Sequence, residues 1–307
     1  MALPIDQIRA SLENGLLSFP ITDMGADGKF KPDTYRERLN WFVEQGVSAV
    51  FVAGGTGEFN SLSSDEYAEL VTLAAKTVNG RVPVFAGAGR TIPEAIKYAK
   101  VCEKAGIDGL LLFPPYLTMH PEEGTYQYAK SIIQSTDLSV IFYNRSNSIL
   151  PSKYIQKLAE ECPNLIGLKD GTGNIQDLND IIRTVGDRLV YIGGVPTAEI
   201  ISEAYLSIGV NTYSSAAFNF VPELAMKFYN SLRAGDKSTV DLIMKEFYIP
   251  FVRLRNRQKG YAVSLIKAGA RIIGRDAGDV RPPLVMPNKD DYMELQRIIE
   301  NASQLMA

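Results

Sequence analysis

The chain has 307 residues, of which 46% are hydrophobic and 22% are charged, and its formal net charge is −3. This composition is typical of an ordinary globular protein and excludes a disordered or membrane-embedded chain. The small negative charge provides no electrostatic surface for nucleic acid or for an anionic membrane. A chain of this length has room for one barrel of about 250 residues with an appendage, or for two domains.

The termini and the metal-binding residue types also narrow the possible classes. No apolar run approaches the roughly 20 residues of a membrane span, and residues 1–6 lack the features of a signal peptide, so we expect a cytoplasmic protein. Cys102 and Cys162 have no short-range partner, which predicts structural thiols rather than a disulfide or a metal site. A histidine metal centre or a histidine-based triad would depend on His120 alone, so we expect no bound metal.

From Gly15 onward, short β-type runs alternate with amphipathic helical stretches. Strands are predicted over residues 16–22, 49–53, 82–86, 109–113, 139–143, 165–169, 189–192 and 210–213. Helices are predicted over residues 32–45, 64–78, 91–105, 122–135, 151–161, 175–185 and 197–206. Eight strands is the number that closes an α/β barrel of the (β/α)₈ type. The rival is an open doubly wound sheet, which needs a reversal of strand order that this even alternation does not suggest.

After the eighth predicted strand the alternation stops, and the chain reads as helical to its end. We therefore predict a barrel over residues 1–220 and an additional helical region over residues 221–307. No stretch between them is long or polar enough to serve as a linker, so we expect the helical region to pack on the barrel.

The most informative stretch is residues 164–174, a short apolar run that ends in Lys169 and is followed by the turn residues Asp170, Gly171 and Gly173. Burying an unpaired ammonium group is costly, and a lowered pKa relieves that cost. A neutral amine is a nucleophile, so Lys169 is a candidate for forming an imine with a carbonyl substrate. From this segment alone, a lysine that reaches solvent or pairs with Asp170 remains the simpler alternative.

The carboxyl ends of barrel strands share one mouth, where catalytic groups gather. The turn Gly54, Gly55, Thr56 follows strand two, and its backbone N–H groups are suited to binding an anion, with the hydroxyl of Thr56 adding a donor. The alternative is a flexible loop, and the turn lacks the Gly-Lys-Ser/Thr ending of a nucleotide-binding P-loop.

Further polar side chains follow strands four, five and eight. The phenol of Tyr143 can donate and accept a proton, and Tyr116 presents a second phenol after two prolines. Ser214 and Ser215 are small donors that leave room for a ligand. A tyrosine at the end of a strand is often only part of the core or the rim.

Three motifs together carry a family resemblance. Gly-Gly-Thr-Gly-Glu at 54–58, Tyr-Asn at 143–144 and Gly-Leu-Lys-Asp-Gly-Thr-Gly-Asn at 167–174, in that order and spacing, resemble the class I aldolase superfamily of dihydrodipicolinate synthase and N-acetylneuraminate lyase. The resemblance covers nearly the whole chain, including the barrel pattern and the helical C-terminal region. The lysine motif is its most specific part.

The resemblance implies a role for each matching residue. Lys169 would be the Schiff-base lysine and Tyr143 the general acid and base. The backbone amides of Gly55 and Thr56 would hold the carboxylate of a 2-oxo acid. Tyr116 matches a tyrosine that members of the superfamily often lend across a dimer interface, and members are commonly dimers of dimers.

The departures from the pattern indicate which branch of the superfamily this chain resembles. Dihydrodipicolinate synthases carry Thr-Thr at the position of Gly55-Thr56, and a proline and an arginine where Ser146 and Ser148 stand, so lysine-biosynthesis chemistry is doubtful. Gly-Gly-Thr-Gly-Glu at 54–58, Tyr-Asn-Arg at 143–145 and the lysine motif together resemble decarboxylating dehydratases of sugar-diacid breakdown. The implied ligand is a 2-oxo sugar diacid, and the implied reaction requires no metal and no organic cofactor.

The distal carboxylate of such a diacid needs its own binding groups. Ser214 and Ser215 are suitable neutral donors, because a tight ion pair in the ground state would oppose decarboxylation. Arg145 is a stronger alternative, and it could equally be a rim arginine paired with an acid.

Two other functions remain open. A retro-aldol lyase or synthase acting on pyruvate would use the same Lys169 and Tyr143. A non-catalytic binder of 2-oxo acids would keep the pocket without turnover, although the intact lysine and tyrosine argue against it.

Overall fold

The computed structural model describes residues 3–116 and 119–306. Eight parallel strands close into a barrel in sequence order, with β1 pairing with both β2 and β8. The strands are β1 Leu17–Ser18, β2 Ala49–Val52, β3 Val84–Arg90, β4 Gly109–Pro115, β5 Ser139–Asn144, β6 Leu165–Asp170, β7 Val190–Gly193 and β8 Thr212–Ser215. The predicted (β/α)₈ barrel is therefore confirmed.

Helices precede, connect and follow the strands. They are α1 Ile5–Glu13, α2 Pro32–Glu44, α3 Ser64–Val78, α4 Ile92–Ala105, α5 Glu122–Ile133, α6 Ser152–Glu161, α7 Ile175–Val185, α8 Ser202–Ser207, α9 Pro222–Ala234, α10 Lys237–Ile243, α11 Ile249–Arg255, α12 Tyr261–Ile272 and α13 Lys289–Gln304. Helices α3 and α4 begin with full capping boxes, in which Ser63 and Thr91 accept from the third helical N–H. These local signals explain why the starts of both helices are readable from the sequence.

The first strand is much shorter than the predicted run over residues 16–22. After Ser18 the backbone bonds to the side chain of Asn219 instead of to a neighbouring strand. Ile21 N–H donates to Asn219 Oδ1 at 3.0 Å, and Asn219 Nδ2 donates to the carbonyl of Phe19 at 3.0 Å. Side-chain partners thus replace the regular strand pairing, and they come from a residue far away in the sequence.

Two helical segments also differ from the predictions. Helix α1 lies ahead of the predicted start of the pattern, and it buries Ile8 and Leu12, one turn apart, against the barrel interior. The predicted helix over residues 197–206 is a 3₁₀ turn, Ala198–Ile201, followed by the short α8.

The apolar barrel interior is packed with side chains from strands β1 to β7 and from α1. Its aromatic layer contains Phe19, Phe51 and Phe85, whose rings stack with centroids 4.8 and 5.0 Å apart. A second, larger apolar core lies between the strands and the surrounding helices. Because the interior is filled, a ligand can enter only at the mouth formed by the carboxyl ends of the strands.

The helices after β8 complete and cover the barrel. Helix α9 is the eighth strand-following helix, and the hydroxyl of its Tyr229 donates to the carbonyl of Asn211, next to β8. Helices α10 and α11 are joined by a π-helical turn, Met244–Tyr248. On α12, Lys267 forms an ion pair of 2.8 Å with Glu58 of the loop after β2, and both side chains are fully buried. This pair fastens the C-terminal helices to the barrel mouth.

The remaining sequence expectations concern thiols, metals and membranes. Cys102 and Cys162 are free and buried, which confirms the prediction of structural thiols. Within the described residues, no cluster of three or more histidine, cysteine or acidic side chains is arranged to hold a metal ion. None of the helices described above is both long enough and apolar enough to cross a membrane.

Candidate active site

Lys169 lies inside the barrel at the carboxyl end of β6. Its side chain is 3% exposed, and its register partner on β5 is Tyr143. Its Nζ lies 4.3 Å from the centroid of the Tyr143 ring and 5.2 Å from that of Phe19. The alternative of a lysine that reaches solvent is therefore wrong.

Asp170, the other alternative partner of Lys169, is engaged elsewhere. Its carboxylate accepts from the N–H and hydroxyl of Thr172, from the N–H of Gly173 and from the hydroxyl of Tyr205 at 2.7 Å. These contacts hold the turn that ends β6. The described hydrogen bond of the lysine amine is instead to the carbonyl oxygen of Gly194, at 3.1 Å.

This environment favours the neutral amine. Burial lowers the pKa of Lys169, and the nearby charge of Arg145 lowers it further, while Tyr143 and Asp170 oppose the shift. A lysine with a lowered pKa retains more of the nucleophilic free base at neutral pH.

Tyr143 is arranged as the proton-transfer partner of this amine. Its hydroxyl donates to the carbonyl of Gly194 at 2.7 Å and accepts from Nη1 of Arg145 at 3.0 Å. Burial alone would raise the pKa of Tyr143, but the guanidinium of Arg145 and the Lys169 amine in its protonated state outweigh it, so the pKa is lowered. The phenol is therefore more easily deprotonated than a free tyrosine.

Two glycines make room for this pair, and neither was singled out for that role from the sequence. A Cβ at Gly194 would lie 2.3 Å from Nζ of Lys169, and a Cβ at Gly171 would lie 2.7 Å from Cε2 of Tyr143. The Gly193–Gly194 pair at the end of strand seven was the available sequence signal. Only glycine permits such a close approach of backbone to side chain.

The loop after β2 contributes two of its three predicted residues to the cavity that surrounds the Lys169–Tyr143 pair. Gly55 and Thr56 line it, together with Lys169 and Tyr143. Gly54 lies behind the loop instead, where its carbonyl accepts from the N–H of Phe59 at 3.0 Å. A Cβ at Gly54 would lie 2.2 Å from the ring of Phe19, so this glycine is needed for packing.

Of the two serines at the end of β8, the structure brings only Ser214 to the cavity. Ser215 is fully buried, and its hydroxyl donates to Oε1 of Glu199 at 2.5 Å. Successive side chains of a strand point to opposite faces, so both serines cannot face the same ligand. The expectation that Ser215 contacts substrate is thereby corrected.

Tyr116 lies outside the cavity. It follows the prolines of β4, is 68% exposed and borders a neighbouring depression that also contacts Arg145 and Asn147. Its predicted place at a dimer interface stays a prediction.

The cavity has a volume of about 190 Å³ and lies between the barrel mouth and the C-terminal helices. The helices supply an apolar wall of Phe251, Ala262, Val263 and Ile266. Besides Lys169, its cationic lining residues are Arg145, which was predicted, and Arg255, which was not. Such a cavity, apolar on one side and carrying cations on the other, suits a small organic anion.

The fold and the site define a (β/α)₈ barrel with a buried lysine and a tyrosine at its carboxyl mouth, in a cavity suited to an anion. Residues 12–302 match the dihydrodipicolinate synthetase family, and the chain belongs to that family.

Two relatives are similar to this chain over nearly its whole length. The chain is 48% identical to the probable 5-dehydro-4-deoxyglucarate dehydratase of Acinetobacter baumannii strain AB307-0294, over 95% of this chain and 97% of that protein. It is 46% identical to the 5-dehydro-4-deoxyglucarate dehydratase of Pseudomonas putida, over 94% and 96% of the two chains.

Solved structures show the same architecture at lower identity. Dihydrodipicolinate synthase from Oceanobacillus iheyensis superposes with a TM-score of 0.89 at 24% identity, covering 97% of this chain and 100% of that one. The enzyme from Bacillus clausii gives a TM-score of 0.88 at 26% identity, covering 96% and 99%. The Oceanobacillus comparison shows the fold alone.

Proposed function

We propose that this protein is a lyase that converts 5-dehydro-4-deoxyglucarate to 2,5-dioxopentanoate, water and CO₂ through an imine on Lys169. The observation that carries the proposal is the buried Lys169–Tyr143 pair, in a chain 48% identical to a relative bearing the dehydratase name. We number the substrate from its oxo end, so that C2 is the ketone and C6 is the distal carboxylate.

The first step is attack of the lysine amine on C2. Burial lowers the pKa of Lys169, which favours the free amine. The carbinolamine then loses water to give an iminium ion, and the C1 carboxylate is held at the amides of Gly55 and Thr56. Gly55 and Thr56 line the cavity, which supports this placement.

The second step is elimination of the C4 hydroxyl. The iminium acidifies the C3 protons, and the phenolate of Tyr143 removes one of them to give an enamine. The enamine expels the C4 hydroxyl as water, with a proton returned from the Tyr143 phenol. A C3=C4 double bond conjugated to the iminium remains.

The third step is loss of CO₂. The electrons of the C5–C6 bond move through C4 and C3 to the iminium nitrogen, leaving an enol at C5. Protonation at C3, conversion of the enol to the aldehyde by protonation at C4, and hydrolysis of the imine release the product and the free lysine. The iminium is the electron sink throughout, so the route uses no metal ion and no organic cofactor.

We also propose an assembly and a location. We place the protein in the cytoplasm as a homo-oligomer, a dimer of dimers with Tyr116 at the tighter interface. The side chain of Tyr116 is 68% exposed in the single chain, which supports its position at an interface. Sedimentation analysis of the wild type and of Tyr116→Ala tests it, because loss of the contact should favour smaller species.

The decisive experiment is incubation of the purified protein with 5-dehydro-4-deoxyglucarate, followed by mass analysis of the products and measurement of CO₂. We expect 2,5-dioxopentanoate and one CO₂ per turnover, and a borohydride-trapped adduct on Lys169. Lys169→Ala should abolish both. Release of pyruvate without CO₂ would indicate a retro-aldol enzyme instead, and a ligand-induced thermal shift without any product would indicate a binding protein.

A further inference from the structure

Arg255 is a cation of the cavity that the proposed chemistry has not used. It ends α11 and lines the cavity opposite the barrel strands. Its Nη1 donates to the carbonyl of Pro196 at 2.7 Å and to Oγ1 of Thr197 at 2.6 Å. Its Nε and Nη2 donate to Oδ1 of Asn256 at 3.2 and 3.0 Å. None of these described contacts is with a carboxylate.

The acid whose charge acts on Arg255 is Glu199, but the described hydrogen bond of its carboxylate is to Ser215 rather than to the guanidinium. Glu199 is buried, its Oε1 accepts from Ser215, and burial raises its pKa to about 7. Among the described residues that line the cavity there is no carboxylate, so the charge of Arg255 is available to attract an anion.

Arg145, the other arginine of the cavity, has a different task. Its Nη1 donates to the hydroxyl of Tyr143, and its guanidinium lies 5.5 Å from the centre of the Tyr143 ring. It therefore acts on the proton-transfer group. A substrate with two carboxylates, one of them at Gly55 and Thr56, still needs a second anion site.

A short stretch of the loop after β7 connects the proposed reacting groups to Arg255. Gly194, whose carbonyl accepts from both Lys169 and Tyr143, lies beside the proposed reacting groups. Pro196, whose carbonyl accepts from Arg255, is two residues further on, so the backbone positions of Gly194 and Pro196 are at most about 7 Å apart. In the substrate, four carbon–carbon bonds of about 1.5 Å each separate C2 from C6, which gives a span of roughly 5 Å.

We propose that Arg255, with the hydroxyls of Thr197 and Ser214, binds the distal carboxylate of the diacid and thereby selects diacids over monoacids. This inference rests on the proposed function and adds its selectivity. Thr197 and Ser214 line the cavity beside Arg255. Most N–H groups of Arg255 already donate hydrogen bonds to protein atoms. The carboxylate is therefore attracted by the charge of Arg255 but does not form a bidentate ion pair with it. A site of this kind holds the group without opposing its loss as CO₂.

The test compares 2-oxoadipate with 2-oxohexanoate, two six-carbon 2-oxo acids that differ in the distal carboxylate. Each is incubated with the full-length protein and borohydride, and the concentration that gives half-maximal labelling of Lys169 is measured by mass spectrometry. We expect the wild type to prefer 2-oxoadipate by about ten-fold to a hundred-fold, the usual value of a charge-assisted contact.

Arg255→Gln should reduce that preference to less than about three-fold, chiefly by weakening 2-oxoadipate, and Arg255→Lys should retain part of it. Arg253→Gln is the matched control, because Arg253 is exposed on the same helix and lies outside the cavity lining. A preserved preference in Arg255→Gln would overturn the proposal. So would equal losses for both acids, which would show that Arg255 only supports the loop through Pro196 and Thr197.

The outcome is separable from that of the proposed function. The imine is trapped without dehydration or decarboxylation, so the labelling ratio is measurable even if 5-dehydro-4-deoxyglucarate gives no CO₂. A wild type that labels both acids equally would contradict the diacid subsite, whatever the turnover assay shows.

Discussion

Lys169 and Tyr143 share one acceptor, because the amine and the phenol both donate to the carbonyl oxygen of Gly194, at 3.1 and 2.7 Å. The shared carbonyl fixes the two groups on one side of the cavity, on adjacent strands and in direct register. Burial lowers the pKa of the lysine, and the nearby cations lower the pKa of the tyrosine. The pair is thereby prepared for one group to attack a ketone and the other to move protons.

Removing only the phenol hydroxyl should separate imine formation from proton transfer. In Tyr143→Phe we expect turnover to fall by about 10²- to 10⁴-fold, the usual contribution of a general acid or base. Borohydride labelling of Lys169 by 2-oxoadipate should persist, because the nucleophile remains. Loss of labelling together with turnover would instead assign the phenol to imine formation, and steady-state rates with mass analysis distinguish the two.

Arg145 should control the pH dependence of the reaction. Its positive charge lowers the pKa of both Tyr143 and Lys169, so Arg145→Gln should raise both. The rise of kcat/KM on the acidic side should therefore move to higher pH, while Arg145→Lys should move it less. The two groups are coupled, so the profile reports values of the pair. An unmoved profile in Arg145→Gln would refute this role.

The close approach at Gly194 predicts intolerance to the smallest side chain. A Cβ there would lie 2.3 Å from Nζ of Lys169, so Gly194→Ala must displace the amine. We expect turnover to fall at least about 100-fold, since small displacements of a reacting group have effects of that size. Gly124→Ala is the control, because a Cβ at that position in α5 meets only ordinary contacts, the nearest at 3.5 Å. Equal activities of the two variants would contradict the close approach.

Breaking the buried Glu58–Lys267 pair should lower the free energy of unfolding more than replacing both of its residues. Lys267→Met leaves the carboxylate of Glu58 without its counter-ion, and such losses cost about 3–5 kcal/mol of unfolding free energy. The double variant Glu58→Gln, Lys267→Met should recover much of that loss, as measured by urea unfolding in a double-mutant cycle. Additive losses would show that the two side chains do not interact.

Glu199 should make stability depend on pH. Burial raises its pKa to about 7 from 4.5, so the folded protein binds a proton that the unfolded chain releases. The stabilisation from this group is complete below about pH 4.5 and is lost as pH rises through about 7. The shift corresponds to about 3 kcal/mol.

Glu199→Gln is the matched variant, because the amide keeps the shape of the protonated acid and does not titrate. Relative to the wild type, its unfolding free energy should rise between pH 4.5 and pH 8 by about that amount. Urea unfolding at both pH values measures the difference. Parallel pH dependences of the two proteins would show that Glu199 does not titrate with a raised pKa.

The sequence by itself determined the architecture and the centre of the site. Strands and helices have local sequence signals, namely the spacing of apolar residues, capping residues and turn glycines. Because these signals alternate along the chain, they predicted the barrel. Lys169 and Tyr143 were identifiable because each lies at the end of a buried run, at a place where a barrel gathers its functional groups. Their motifs also carried the family resemblance.

The tertiary structure decided what depends on distant parts of the chain. Which of Ser214 and Ser215 faces the ligand depends on strand register, and one residue of register reverses the face. Arg255 joins the cavity because α11 packs over the barrel mouth, an arrangement set by the apolar core rather than by any local pattern near Arg255. The Glu58–Lys267 pair likewise joins two segments far apart in sequence. Such contacts form only once the whole chain has folded, because no local spacing specifies them.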